Sequence, residues 1–422
     1  MRNWRARTTM FYGWWIVAAL FCVVLNTGGT GFYVFPVFIQ SFITEFGWTV
    51  TQISTAAAVW ALVYGFSGPL IGLLIARFGA TRTMAAAAAL WSLALAWFAF
   101  MQALWMLYAG MIVFGMAVAG TTLVPSQTVI TNWFNRYRGR AMSFMMLGFG
   151  AGGLVMPPLS EWLIRQVGWR QTWLLACAVA WLLVIPLIAV VVRTRPADLG
   201  LLPDGEPGEG DRGAQRSGLP VKQALASSSF WLIFAVYVLQ LVGLSAINFH
   251  FVPFAIQEAK FTPQQAAFFL GMTIGVSMAG RLVFGWLADR WNPAVLMAIA
   301  SALLACGPTI LVLCVIRLGL AHASVLWPYA VLYGFGIGGN AIMLPVLVGR
   351  CFGELHFSKL QGLVMSGFAV GIVLGIPGAG RIFDATGSYE LAFLLCMVAF
   401  ALSSVLALTV QPARHHAQFV SE

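Results

Sequence analysis

Twelve long apolar runs, at 11–38, 51–76, 81–103, 105–131, 139–163, 170–193, 228–254, 264–288, 294–318, 323–349, 359–382 and 389–411, constrain this chain more than any other feature. About 20 apolar residues in a helix cross the hydrocarbon of a bilayer, whereas strands of a membrane barrel are shorter and alternate in polarity. The runs therefore read as twelve transmembrane helices. With 60% of the 422 residues apolar and 9% charged, a water-soluble domain of this size is excluded.

The net charge of +10 follows topology. Seventeen of the 23 basic residues fall in the N-terminal segment, the C-terminal tail or the even-numbered loops; five (Arg165, Arg170, Lys260, Arg317, Arg381) fall at the opposite ends, and Arg281 at neither. The positive-inside rule then puts both termini in the cytoplasm of a multi-pass protein of the cell's inner (plasma) membrane. Basicity explained by topology removes nucleic acid as a partner. The first run is too long, and lacks the small-residue cleavage pattern, for a signal peptide. Six scattered cysteines without paired spacing give no disulfide framework and no metal site. Without a midplane acid pair, or a nucleophile beside a base, the chain reads as no enzyme and needs no cofactor. It is expected to act as a monomer.

One stretch interrupts the apolar pattern, "RTRPADLGLLPDGEPGEGDRGAQRSGLPVKQ" from Arg193 to Gln223. Its Pro, Gly and charge content reads as a flexible cytoplasmic linker. The expected division is 1–192, a six-helix bundle; 193–225, the linker; and 226–422, a second six-helix bundle. The halves repeat each other: "GLLIARFGATR" closes helix two and "GWLADRWNP" helix eight, "GRAMSFMMLGFGAG" aligns with "GLVMSGFAVGIVLG", and "GWRQTW" and "GSYELAF" each open the last helix of a half. The glycines of helices five and eleven let neighbours approach closely, and two readings stand: surfaces on which the halves slide, or tight packing in a static bundle.

Two six-helix repeats joined by a long loop resemble the major facilitator superfamily over the whole chain. The resemblance implies an all-α membrane protein of two pseudo-symmetric bundles working by alternating access. "GLLIARFGATR", with Gly72, Arg77, Gly79 and Arg82, resembles that superfamily's signature between helices two and three, departing at Ala76, Ala80 and Thr81. The second copy keeps an acid and a base as Asp289 and Arg290, so the cytoplasmic gate motif the resemblance implies rests on the C-terminal half. "YGWWIV", "FGWTVTQIS", "HFVPF", "GRLVFGWLADR" and "DATGSYELAF", in this order, resemble the monocarboxylate transporter and oxalate:formate antiporter branch. In that branch the arginine of helix eight receives the substrate carboxylate, and Arg281 occupies its place. An acid often found one turn earlier is Ser277 here.

Physics gives Arg281 independent weight. Asp289 marks the end of helix eight, so Arg281, eight residues earlier, lies roughly 12 Å inside a core about 30 Å thick. A charge there costs about 3 kcal/mol or more and is kept where it lines a cavity and meets a partner. The thirteen acidic residues all lie in loops or at helix ends. A guanidinium fork matches a carboxylate in bidentate fashion, which makes substrate binding the leading reading; a structural role through carbonyls and water is the other. Among polar residues at similar depth, Asn26, Thr30 and Tyr33 share a face of helix one. Thr121, Thr122 and Gln127 of helix four, Gln240 of helix seven, and Tyr333 and Asn340 of helix ten are cavity-lining or interhelical. The substrate-binding set is Arg281, Tyr333, Tyr33, Asn26, Asn248, Asn340 and Thr122. His250, with the one side chain whose ordinary pKa is near neutrality, either couples a proton or bridges helices by neutral hydrogen bonds.

A secondary carrier of small organic monoanions such as lactate or pyruvate, coupled to protons, unites these features. Its partners are a small carboxylate, a proton or counter-anion, and the lipid bilayer. An organic anion exchanger of the oxalate:formate type and a proton-coupled drug efflux carrier are the alternatives; the latter leaves Arg281 without a use.

Overall fold

The structure is a computed structural model describing residues 11–205, 218–320 and 322–411. Trp4 and the basic residues Arg2, Arg5, Arg7, Arg212, Arg216 and Arg414 lie outside the described residues. Among the described residues, twelve helices are long and apolar enough to cross a membrane: α1 Tyr12–Phe46, α2 Gln52–Phe78, α3 Ala80–Ala99, α4 Leu104–Trp133, α5 Arg138–Val167, α6 Trp169–Val190, α7 Ser228–Gln257, α8 Gln264–Ala288, α9 Pro293–Arg317, α10 Ser324–Phe352, α11 Phe357–Thr386 and α12 Glu390–Leu408. The chain is an all-α, multi-pass membrane protein.

Local chemistry sets many of the ends. Thr49 and Gln52 exchange side-chain and backbone hydrogen bonds at the start of α2, and Thr262 and Gln265 repeat that capping box at α8. Gly79, Gly168 and Gly387 turn the chain between helices at φ of +85°, +86° and +70°, a region open to glycine. Prolines account for three irregularities. π-Helical turns at Thr30–Val34 and Ala180–Val184 stand just before Pro36 and Pro186. Within α4 the helix stops at Thr121 and restarts at Leu123, with Thr122 at φ −98° and ψ −106°. Pro125 has no N–H for the Thr121 carbonyl, and its ring crowds that oxygen.

The chain divides into two compact units, Met1–Arg216 with His356–Ser366, and Ser217–Leu355 with Gly367–Glu422. The division runs through α11, which is broken at Ser366 into Phe357–Met365 and Gly367–Thr386. Of the stretch read as a flexible linker, the described ends, 193–205 and 218–223, are held by hydrogen bonds. Trp133 Nε1 and Asn132 Nδ2 donate to the carbonyls of Arg193 and Thr194, and Asp204 accepts from the backbone N–H groups of Asn135 and Arg136. On the other side Leu219 N–H donates to Phe352 O, and Val221–Ala226 forms a helix. A Pro- and Gly-rich composition signals no apolar core, yet backbone and carboxylate hydrogen bonds fix these ends.

The glycines of helices five and eleven pack inside each unit. A Cβ on Gly148 or Gly152 would collide with the carbonyls of Phe21 and Leu25 in α1; one on Gly371 or Gly375 would collide with Leu241 and Val242 of α7. Of the two sequence readings, this is tight packing, α5 on α1 and α11 on α7. Repeat symmetry is visible in the matched positions.

Candidate functional site

Arg281 lies in the second unit, 5% exposed, on the face of α8 that meets α10. The two helices touch backbone to backbone. A Cβ on Gly334 would lie 2.7 Å from Thr273 O, one on Gly280 2.8 Å from Phe335 O, and one on Gly338 2.6 Å from Arg281 N while colliding with Ser277 O. Three glycines thus fix the rotation and height of α8, and with it the root of the arginine. The hydroxyls beside it are spent on their own helix, Thr273 on Phe269 O at 2.8 Å and Ser277 on Ile274 O at 2.6 Å.

Tyr333, read as a candidate substrate contact, lies on another side of α10. Its ring stacks on Tyr329 at 5.3 Å, stands edge-on to Phe400 of α12 at 6.3 Å, and covers Gly307 of α9. It is fully buried on the side of α10 that faces α9 and α12, whereas the neighbouring Gly334 faces α8. One residue is 100° of helix, enough to separate the two sides. Asn340 follows Gly336, which meets Leu304 of α9, by four residues and shares that side; it is buried, and its Oδ1 has no hydrogen-bond partner among the described residues. Gln240 is interhelical, its Nε2 donating to Ser301 Oγ at 2.6 Å. Asn248 is exposed.

His250 is buried where α7, α11 and the start of α12 meet. Its Nδ1 lies 3.3 Å from Tyr389 Oη and its Nε2 3.0 Å from Ile376 O. Glu258 anchors the same corner, accepting from Tyr389 N–H at 2.7 Å and from Ser388 Oγ at 3.1 Å.

In the first unit, Asn26 Nδ2 donates to Cys22 O at 2.9 Å and Thr30 Oγ1 to Asn26 O at 2.7 Å, so both turn back on α1. Tyr33, half-buried in the π-turn, lies over Gly153 of α5 and 5.5 Å from Phe149. Thr122 stands at the break of α4, its Oγ1 donating to Val118 O at 2.7 Å, with a side-chain hydrogen bond to Tyr64 of α2. Sequence reasoning missed an aromatic cluster here. Phe32 is 5.0 Å from Trp60, 5.0 Å from Tyr64 and 4.9 Å from Phe149. With 32 Phe and 17 Trp in the chain, no spacing singles these out.

In the gate motif, Gly72 backs onto Ser358, whose Oγ donates to Gly72 O at 3.2 Å. Arg77 and Arg82 are exposed, and Arg290 lies 3.8 Å over the Trp286 ring beside Asp289, the C-cap of α8. Among the described residues, no three His, Cys, Asp or Glu side chains gather into a metal-binding group.

Comparison with known proteins adds three findings. The profile of the Major Facilitator Superfamily matches residues 16–348. Monocarboxylate transporter 12 of Rattus norvegicus is 26% identical over 421 residues, 94% of this chain and 84% of that protein; monocarboxylate transporter 13 of Bos taurus is 25% identical over 401 residues, 91% and 86%. A solved structure of the proton:xylose symporter XylE is similar with a TM-score of 0.73 at 14% identity, over 95% of this chain and 96% of that one. The last is a likeness of fold.

Proposed function

Because the chain belongs to the major facilitator superfamily, we propose that it is a secondary carrier of small organic monoanions, monocarboxylates such as lactate or pyruvate, working by alternating access with both termini in the cytoplasm. The observation that carries this reading is Arg281, an arginine 5% exposed within a membrane-spanning helix and braced by backbone contact with α10. Its planar fork holds a carboxylate by two parallel hydrogen bonds, a geometry an ammonium does not reproduce. The curated relatives named monocarboxylate transporters support the same substrate class. His250 carries the coupled proton. Neutral, its Nδ1 accepts from Tyr389 Oη while Nε2–H donates to Ile376 O. Charged, Nδ1–H donates to the phenol oxygen and the second bond is unchanged.

Uptake into proteoliposomes of labelled lactate, pyruvate, formate and oxalate, beside a cationic dye, tests the proposal. Saturable uptake of a monocarboxylate that the dye does not compete supports it; uptake of the dye alone overturns it. Arg281→Lys should elute as a folded protein with substrate affinity at least about tenfold weaker. Near-normal affinity in that variant reassigns Arg281 to structure.

A further inference from the structure

Three rings form a near-parallel stack inside the second unit. Phe251 of α7 lies 5.0 Å from Tyr329 of α10 at an interplanar angle of 4°, and Tyr329 lies 5.3 Å from Tyr333 at 17°. The two tyrosines are one helical turn apart, so both side chains lean toward the start of α10 and carry their hydroxyls in the same direction. The rings belong to an apolar cluster that includes Leu304 and Leu311 of α9 and Phe400 of α12. Both tyrosines are 0% exposed, and neither Oη has a hydrogen-bond partner among the described residues.

A buried phenol normally finds a partner for its proton, because stranding the group forfeits its hydration with nothing in return. Phenylalanine at either position would keep the ring contacts and strand nothing, yet the hydroxyl is carried at two successive turns. Two donors aimed the same way call for an acceptor. Charge argues against an anion. Among the described residues of this unit, the buried basic side chains are Arg281, on the α8 side of α10, and His250, at the corner with α11 and α12. An anion in the apolar cluster would be left without a counter-charge. Water is neutral and accepts from two donors at about 2.8 Å each, a span close to the spacing of the stacked rings. We propose that Tyr329 and Tyr333 bind a water molecule in the interior of the second unit, which bridges their hydroxyls. Tyr333 thereby has a ligand of its own in place of the substrate, and α10 is held at this level by a polar bridge within an apolar stack.

Thermal unfolding of the full chain in detergent tests the site by the sign of the change. With the water bound, Tyr329→Phe or Tyr333→Phe removes one arm of the bridge and leaves the water and the other phenol short of a partner. Each single variant should therefore unfold about 2 °C or more below the wild type. Tyr329→Phe/Tyr333→Phe, with both hydroxyls and the water gone, should unfold at or above the wild type. Without a water each replacement only relieves a stranded donor, so single variants that unfold at or above the wild type overturn the site. A double variant lower than either single overturns it too. The direct observation is a crystal structure in which ordered waters are seen. A peak within hydrogen-bond distance of both Oη atoms, absent from the double variant, is the expected result; a map that shows other buried waters and none here overturns the proposal. Neither measurement uses substrate, so the result stands apart from the carrier reading.

Discussion

A histidine with both ring nitrogens engaged is commonly a strut, yet His250 is joined to groups that accommodate either charge state. Tyr389 is the reason. Burial first, then the charges of Glu258 and Asp384, raise its phenol above the ordinary value of 10, so across the neutral range it keeps its proton and can donate or accept. Glutamine at position 250 can replace one or both hydrogen bonds and cannot carry a proton. His250→Gln is therefore expected to lose accumulation driven by an inward pH gradient while counterflow exchange of labelled for unlabelled substrate persists, because exchange needs only reorientation of the loaded carrier. A glutamine variant that still accumulates substrate against its gradient makes His250 a bridge between helices and nothing more.

Helices in this protein are positioned by what their glycines leave out. Gly338→Ala puts a methyl against the Ser277 carbonyl and the Arg281 N–H, neither of which can move without α8 moving. Overpacking of this kind costs about 1–3 kcal/mol, so the thermal midpoint in detergent should fall and substrate affinity with it. Gly275→Ala on the same helix, where an added Cβ meets nothing within 4 Å, should leave both nearly unchanged; equal effects at the two positions would refute the seam.

At the scale of the molecule, the chain is two units that do not coincide with its two sequence repeats. The first unit is completed by residues 356–366, more than a hundred residues beyond the linker. Splitting the chain after residue 211 separates segments already tied to their own units, so co-expression of 1–211 with 212–422 should restore uptake to within roughly threefold of the intact chain. The first fragment alone lacks the helix that covers Gly68 and Gly72, and limited proteolysis should cleave it faster than in the co-expressed pair. Equal resistance would show that 356–366 contributes nothing to that unit.

The bilayer makes part of this protein one-dimensional. A helix must present about 20 apolar residues to cross it, so the number of helices and the two repeats are readable along the chain. Capping boxes and turn glycines are readable for the same reason, since each acts within four residues. Which face of a helix meets which neighbour is a different kind of fact. Tyr333 and Gly334 are adjacent in sequence and look to α9 and α8 respectively, decided by where a missing side chain lets two backbones touch. The Gly148 and Gly371 pairs read equally as sliding surfaces or as packing until their partners, α1 and α7, are seen. Asp204 pins its segment through backbone N–H groups, which carry no sequence signal. The reach of α11 into the first unit, and the Gln127–Gln361 bond across 234 residues of chain, exist only once both helices are folded, because hydrogen bonding and close packing act between surfaces that sequence order does not bring together.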